Sequence, residues 1–300
     1  MSRDAEMSRD AEVALTGPPP KSAFRFAARN IKLIVGAILF SLLLLLALVG
    51  PFLVAAEPQA QTLENRLQAP GWSSANPLGT DNYGRDVLSR LVHGARVSLA
   101  VGIISTSIAV VIGTVLGVTS GYFGGRFDFV IMKVVEFFMA LPSILVAIAI
   151  LAIFGAGFWK LIVVFGLTRW VGFCRQTRGQ IISLKEQEFV LSARSIGASN
   201  ARIIVHHLFT NIVPLLIIIS SYTLASIILS EAGLTFLGVG IPVEIPTWGV
   251  MLNEGRRFTI RAWWLTVFPG ACIFLLVLGV NLFGDGLRDL LDPRLRGTGS

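Results

Sequence analysis

The sequence predicts an all-α, polytopic membrane protein with six transmembrane helices. Three observations point there. Asp, Glu, Lys and Arg make up only 14% of the 300 residues, against roughly 25% in soluble domains. The hydrophobic share is 54% and the mean hydropathy is +0.73. Several apolar stretches also exceed the about 20 residues that a helix needs to cross the hydrocarbon. A soluble core this large would need polar helix faces to cover it, and these stretches have none.

Residues 1–30 read as a polar, disordered cytoplasmic tail. They carry the hexapeptide MSRDAE twice, at Met1–Glu6 and Met7–Glu12, and then Pro18, Pro19 and Pro20. The repeat fits an alternative start or a duplicated leader as well as any function. The first apolar run, at about 31–56, is longer than the roughly 7–15-residue core of a signal peptide, so it reads as an uncleaved anchor.

Spans two and three are expected at about 97–125 and 129–157, the third with Lys133 and Glu136 near its entrance. Span two carries Gly113, Gly117, Gly121 and Gly125 four residues apart, which leaves one helix face nearly bare backbone. Such a row favours close helix contact in lipid, either within the chain or at a subunit interface.

The fourth candidate, about 158–174, contains Lys160 and Arg169, and hydropathy alone does not decide it. Spans five and six are expected at about 211–237 and 262–284, with Trp263 and Trp264 where an aromatic belt would place them. The basic residues arbitrate, because Lys and Arg favour the cytoplasmic side of short loops. Six spans put 17 of the 25 basic residues inside and 8 outside, and deleting the fourth span reverses the bias. Both termini are therefore expected in the cytoplasm, with a loop over residues 175–210 on the same side and a short tail at 297–300.

The composition excludes several classes of function. The formal net charge of +7 is scattered between apolar spans and forms no basic patch or arm of a nucleic-acid binder. There is no GxxxxGK[ST] phosphate loop, no HExxH and no GxSxG. Hence no catalytic residue, cofactor or metal is expected. His206 and His207 are adjacent, so on a helix they point about 100° apart and lack the i, i+4 spacing of a shared metal. Cys174 and Cys272, far apart in apolar surroundings, read as packing residues. Glu136 and Glu231 lie at or near the membrane, where an ionisable residue is a functional candidate, although Lys133 stands three positions from Glu136. An ion-coupled secondary transporter would need acidic coupling residues on broken helices, usually in inverted repeats, and neither is clear here.

Within the 175–210 loop, Phe189, Ala193 and Ile196 fall at helical spacing among Glu188, Arg194 and Ser195, giving a short amphipathic helix that breaks near Gly197. Spacing alone allows it to lie on the membrane face or in a partner's groove. The run from Glu188 to Ser199 resembles the EAA loop of ABC importer permeases, with Ser192, Ala193 and Gly197 matching its pattern and Leu191 in place of the motif glutamate. The Pro77–Arg90 segment, Gly121–Gly125, Ala140–Ser143 and the ending Gly284–Pro293 are similar to those of the C-type subunit of the dipeptide, oligopeptide and nickel permease family.

The resemblance covers about residues 31–296, the expected permease domain, and implies the type I importer permease fold. It implies a bacterial inner-membrane subunit that pairs with a homologous permease, two cytoplasmic ATPases and an extracytoplasmic solute-binding protein. Peptides are the leading substrate and nickel chelates the next. It also implies that Glu188, Phe189, Leu191, Ser192, Ala193, Ile196, Gly197 and Ala198 form the helix that couples the spans to an ATPase.

Overall fold

The computed structural model describes residues 30–71 and 75–291. The amino-terminal tail with its repeat, and residues 292–300, lie outside the described residues. The described chain is helical, and its only β feature is an isolated bridge between Thr80 and Asp86.

Helix α1 is Ile31–Leu53 and α2 is Val87–Phe123. Helices α3 (Gly125–Ala140) and α4 (Ser143–Phe154) meet at an 86° bend. Then come α5 (Phe158–Leu184) and the short α6 (Glu188–Ser195). A continuous helix, α7, covers Asn200–Phe236 and widens to π-helical hydrogen bonding over Ile203–Phe209. Helix α8 is Trp248–Gly255 and α9 is Trp264–Leu291.

Helices α1, α2, α7 and α9 are long and apolar enough to cross a membrane, and the bent α3–α4 pair makes a fifth segment. Helix α5 has 27 residues, about 40 Å at about 1.5 Å per residue. It is long enough to cross, but its Lys and Arg residues dilute its hydropathy. The bundle takes up that polarity, since α5 packs along α2 and buries Leu161, Phe165, Phe173, Thr177 and Ile181.

Several boundaries differ from the sequence expectation. Helix α2 begins at Val87, ten residues before the apolar run, because Arg90 in its first turns is fully buried against acidic partners. The expected single third span is broken at Leu141–Pro142, since the residue before a proline is pushed out of helical geometry and Leu141 is extended. Arg169, which the 17-to-8 count takes as one of the 17 inside residues, sits within α5.

The glycine row explains the α2–α5 contact. A Cβ on Gly113 would lie 2.4 Å from Phe173 Cβ, one on Gly117 2.6 Å from the Cys174 carbonyl oxygen, and one on Gly121 2.9 Å from that of Arg178. These three therefore meet α5 of the same chain at backbone distance. Gly125 does not share the role. It faces open space with φ +65°, at the turn from α2 into α3. The α1–α9 crossing uses the same device, because a Cβ on Gly36 would lie 2.3 Å from Phe283 N.

Replacing Gly117 with Ala should lower stability by about 1–3 kcal/mol, the usual cost of overpacking. Gly270→Ala is the control, since its Cβ would meet nothing within 4 Å. Thermal unfolding of the purified variants checks this: the midpoint should fall for Gly117→Ala and stay at the wild-type value for Gly270→Ala.

Candidate functional site: the 175–210 loop and the inter-helix cavity

The loop residues divide by side. On α6, Val190 is 0% exposed and Ala193 6%, whereas Phe189 is 40%, Leu191 48% and Ile196 86% exposed. The inner face joins a cluster with Val118 and Tyr122 of α2, Phe173 and Ile181 of α5, and Ile203, Leu208 and Ile212 of α7. Glu188, Ser192 and Gly197 are exposed, and Ala198 is half-buried. Ala193, expected as a contact for a partner, is nearly covered by the chain itself, and it also borders the concavity beside α6.

The end of α6 is fixed by its backbone. Gly197 takes φ +82°. Its N–H donates to the Arg194 carbonyl at 3.0 Å, and the Ala198 N–H to that of Ala193 at 3.0 Å. This paired bonding around a left-handed glycine closes a helix and reverses the chain. Ser199 then caps the next turn, accepting from Arg202 N–H at 3.4 Å.

Polar ties bind the loop to the ends of α2 and α3. Tyr122 donates its hydroxyl to Asn200 Oδ1 at 2.7 Å. Arg178 makes a forked pair with Asp128 at 2.5 and 2.7 Å, and Ser120 also donates to Asp128. Lys185 Nζ donates to the Gly121 carbonyl at 3.2 Å. Phe189, Ile196, Arg202, His206 and His207 line an open concavity of about 800 Å³ beside α6.

At the other end of the bundle, the segment before α2 is locked by four charges. Asp81 accepts from Arg85 Nε at 2.6 Å and from Arg90 Nη1 at 2.7 Å. Glu254 of α8 accepts from Arg85 Nη2 at 2.9 Å and from Arg90 Nη1 at 2.6 Å. Burial alone would lower the Arg85 pKa, but Asp81 and Glu254 outweigh it and hold the guanidinium above its ordinary value. Asp86 caps α2 by accepting from Ser89 N–H at 2.8 Å. Burial pushes its carboxyl above the usual range, against the pull of the Ser89 and Leu88 N–H groups. The sequence placed Asp81, Arg85 and Arg90 in one family-like segment, but nothing in it marked Glu254 as their partner.

Between the α3–α4 bend, α5 and α7 lies a cavity of about 650 Å³ with a mixed wall, in which Phe138, Leu215 and Ile219 stand beside Thr168, Arg169, Gln176, Tyr222, Ser226 and Arg288. Of the two glutamates singled out earlier, Glu136 is exposed and pairs with Lys133 at 2.7 Å. Glu231 is fully buried and accepts from Ser98 at 3.2 Å and Thr235 at 3.1 Å. Helices α2 and α7 are thereby pinned together.

Residues 113–297 match the model of the binding-protein-dependent transport system inner membrane component. The chain belongs to this family. The matched stretch starts at the first glycine of the α2 row and contains the bend, α5, the loop and the cavity wall.

Relatives agree along nearly the whole length. The dipeptide transport system permease protein DppC of Alkalihalophilus pseudofirmus is 39% identical over 93% of this chain and 91% of its own. The di/tripeptide transport system permease protein DppC of Pseudomonas aeruginosa is 36% identical over 95% and 96%. The glutathione transport system permease protein GsiD of Pectobacterium atrosepticum is 39% identical over 91% and 90%. A solved structure of the MetNI methionine ABC transporter, in inward-facing conformations, has a chain that shares the fold. Its TM-score is 0.55 at 19% identity, and the match covers 68% of this chain and 97% of that one. The protein is thus an ABC importer permease of the DppC type, a multi-pass inner-membrane component.

Glu254→Gln should leave two buried guanidinium groups short of one carboxylate, at a cost of about 3–5 kcal/mol. A fall in the thermal midpoint of the purified permease checks this, with Glu244→Gln, outside the cluster, near wild type.

Proposed function

We propose that this permease carries peptides across the inner membrane as half of a heterodimeric path, with a homologous permease as the other half. An extracytoplasmic binding protein delivers the peptide, and two cytoplasmic ATPase chains drive its passage. Both termini and the 175–210 loop lie in the cytoplasm. Family membership supports the importer role, and the printed substrates of the relatives, dipeptides, di/tripeptides and glutathione, support peptides. The chain has no phosphate-binding loop of its own, so hydrolysis belongs to the ATPase chains.

The observation that carries the coupling assignment is the two-sidedness of α6. Its outer residues Phe189 and Leu191, with Ile196 just past its end, are exposed and apolar, while Val190 on its inner side belongs to the cluster shared by α2, α5 and α7. Such a helix is too short to be stable alone. Seated in an ATPase groove, it would pass a displacement straight into three membrane helices.

Ile196→Glu puts a charge into that contact and should reduce ATPase binding at least tenfold while the permease still inserts and folds. Co-purification and thermal unfolding read the two effects separately. A cysteine at Ile196 should crosslink to an ATPase chain; free reaction with soluble reagents in every nucleotide state, without crosslinks, would sink the assignment. Cysteines at Ser183 and Ser74, introduced after removal of Cys174 and Cys272, test orientation. Labelling of intact cells at 74 and not at 183 is expected.

A further inference from the structure

Arg169 is the twelfth of the 27 residues of α5, roughly 16 Å from the helix start at about 1.5 Å per residue. An arginine at such depth is costly in a membrane protein and normally faces a partner or a polar cavity. Other charges near the bundle's ends follow that rule. Arg178 has Asp128, Arg85 and Arg90 share Asp81 and Glu254, and Lys32 has Asp289.

Arg169 differs. Among the described residues no Asp or Glu pairs with it; Nη2 donates to Ser230 Oγ at 2.9 Å, and Nε has no hydrogen-bond partner. The hydroxyl of a serine offers a neutral dipole and leaves the positive charge unmatched. The side chain also lines the cavity of about 650 Å³, within the range of about 300–1,000 Å³ typical of small-ligand sites. A second cation, Arg288, lies in the same wall, and the nearby Asp285 already accepts the Tyr222 hydroxyl.

From the geometry we infer that Arg169 is the anion-recognising group of the translocation path, receiving the carboxylate of a passing peptide. The inference rests on the peptide reading above. A guanidinium suits this task because it stays charged in every environment the path presents and offers several donors to two carboxylate oxygens. The Ser230 bond holds the side chain against α7, and Thr168, Gln176 and Ser226 supply neutral hydrogen-bonding groups along the same wall. A lipid phosphate shares the chemistry, and the test below separates it.

The complete transporter, with its partner permease, ATPases and binding protein, is reconstituted in vesicles. Dipeptide uptake and ATP hydrolysis are then measured together for Arg169→Lys, Arg169→Gln and Arg169→Glu. Peptide moved per ATP should fall in the order wild type, Lys, Gln, Glu, with at least a tenfold loss for Gln, while hydrolysis stimulated by the binding protein stays within twofold. Ser230→Ala, which removes the tether and keeps the charge, should lose less than Arg169→Gln.

An unchanged ratio in all three Arg169 variants, or the same loss in Ser230→Ala as in Arg169→Gln, overturns the inference in favour of a helix-packing role. A Gln loss seen only in vesicles with anionic lipid assigns Arg169 to lipid phosphate and also overturns it. If the variants fail to assemble, phenylglyoxal labelling of the wild-type complex decides, read by mass spectrometry at Arg169. Labelling should fall severalfold during peptide turnover; identical labelling with and without peptide overturns the inference. A wild-type complex that hydrolyses ATP on stimulation but moves no peptide refutes the substrate reading itself, before any variant is compared.

Discussion

The backbone contact between α2 and α5 is the constraint on which the rest of the bundle depends. Helix α5 carries Lys160, Arg169, Arg175 and Arg178, too many charges to face lipid along its length. Its apolar side is hidden only because Gly113, Gly117 and Gly121 let α2 approach to backbone distance. In lipid there is no water to expel between helices, so association relies on such close packing. Once α5 is held, its other side is free to be polar. That is where the cavity opens.

The two ends of the bundle are held by different physics. At one end, Asp81, Arg85, Arg90 and Glu254 form a buried, charge-balanced lattice joining the segment before α2 to α8. At the other, apolar burial of Val190, Ile203 and Leu208 is supplemented by partly exposed ties, with Arg178 30% and Asp128 19% exposed. The first end is rigid by electrostatics and difficult to rearrange. The second is held mainly by packing, and π-helical widening at Ile203–Phe209 gives α7 a point of compliance beside α6.

Much of this was legible in the sequence, for reasons that particular residues make plain. The long apolar runs and the excess of Lys and Arg in alternate loops pointed to six segments even where Lys160 and Arg169 made hydropathy mute. The four-residue glycine spacing announced a close helix contact, but spacing could not say with which helix. Apolar periodicity identified α6, but it could not tell which of Phe189, Val190, Leu191 and Ala193 faced the bundle, because a two-turn helix with apolar residues on most sides has no unique inner face. The start of α2 was misplaced because hydropathy scores Arg90 as a charge and cannot see the carboxylates that neutralise it. Pro142 was visible, but its 86° consequence for α3 and α4 depends on packing. The depth of Arg169 was hidden for the converse reason: an arginine near a loop looks cytoplasmic until the helix around it is seen to continue for another four turns.

The charge lattice at the α2–α8 junction carries a consequence for the conditions under which the protein must work. Its four members are at most 15% exposed, so mobile counter-ions cannot reach between them, and screening that would dissolve a surface ion pair leaves these almost untouched. The compartment that this end faces can therefore swing between dilute and concentrated salt without loosening the segment before α2 from α8. The exposed Lys32–Asp289 pair, 55% and 46% exposed, has no such protection. The permease thus has one end whose geometry is insulated from the osmotic history of the cell, a fixed anchorage against which the helices can shift.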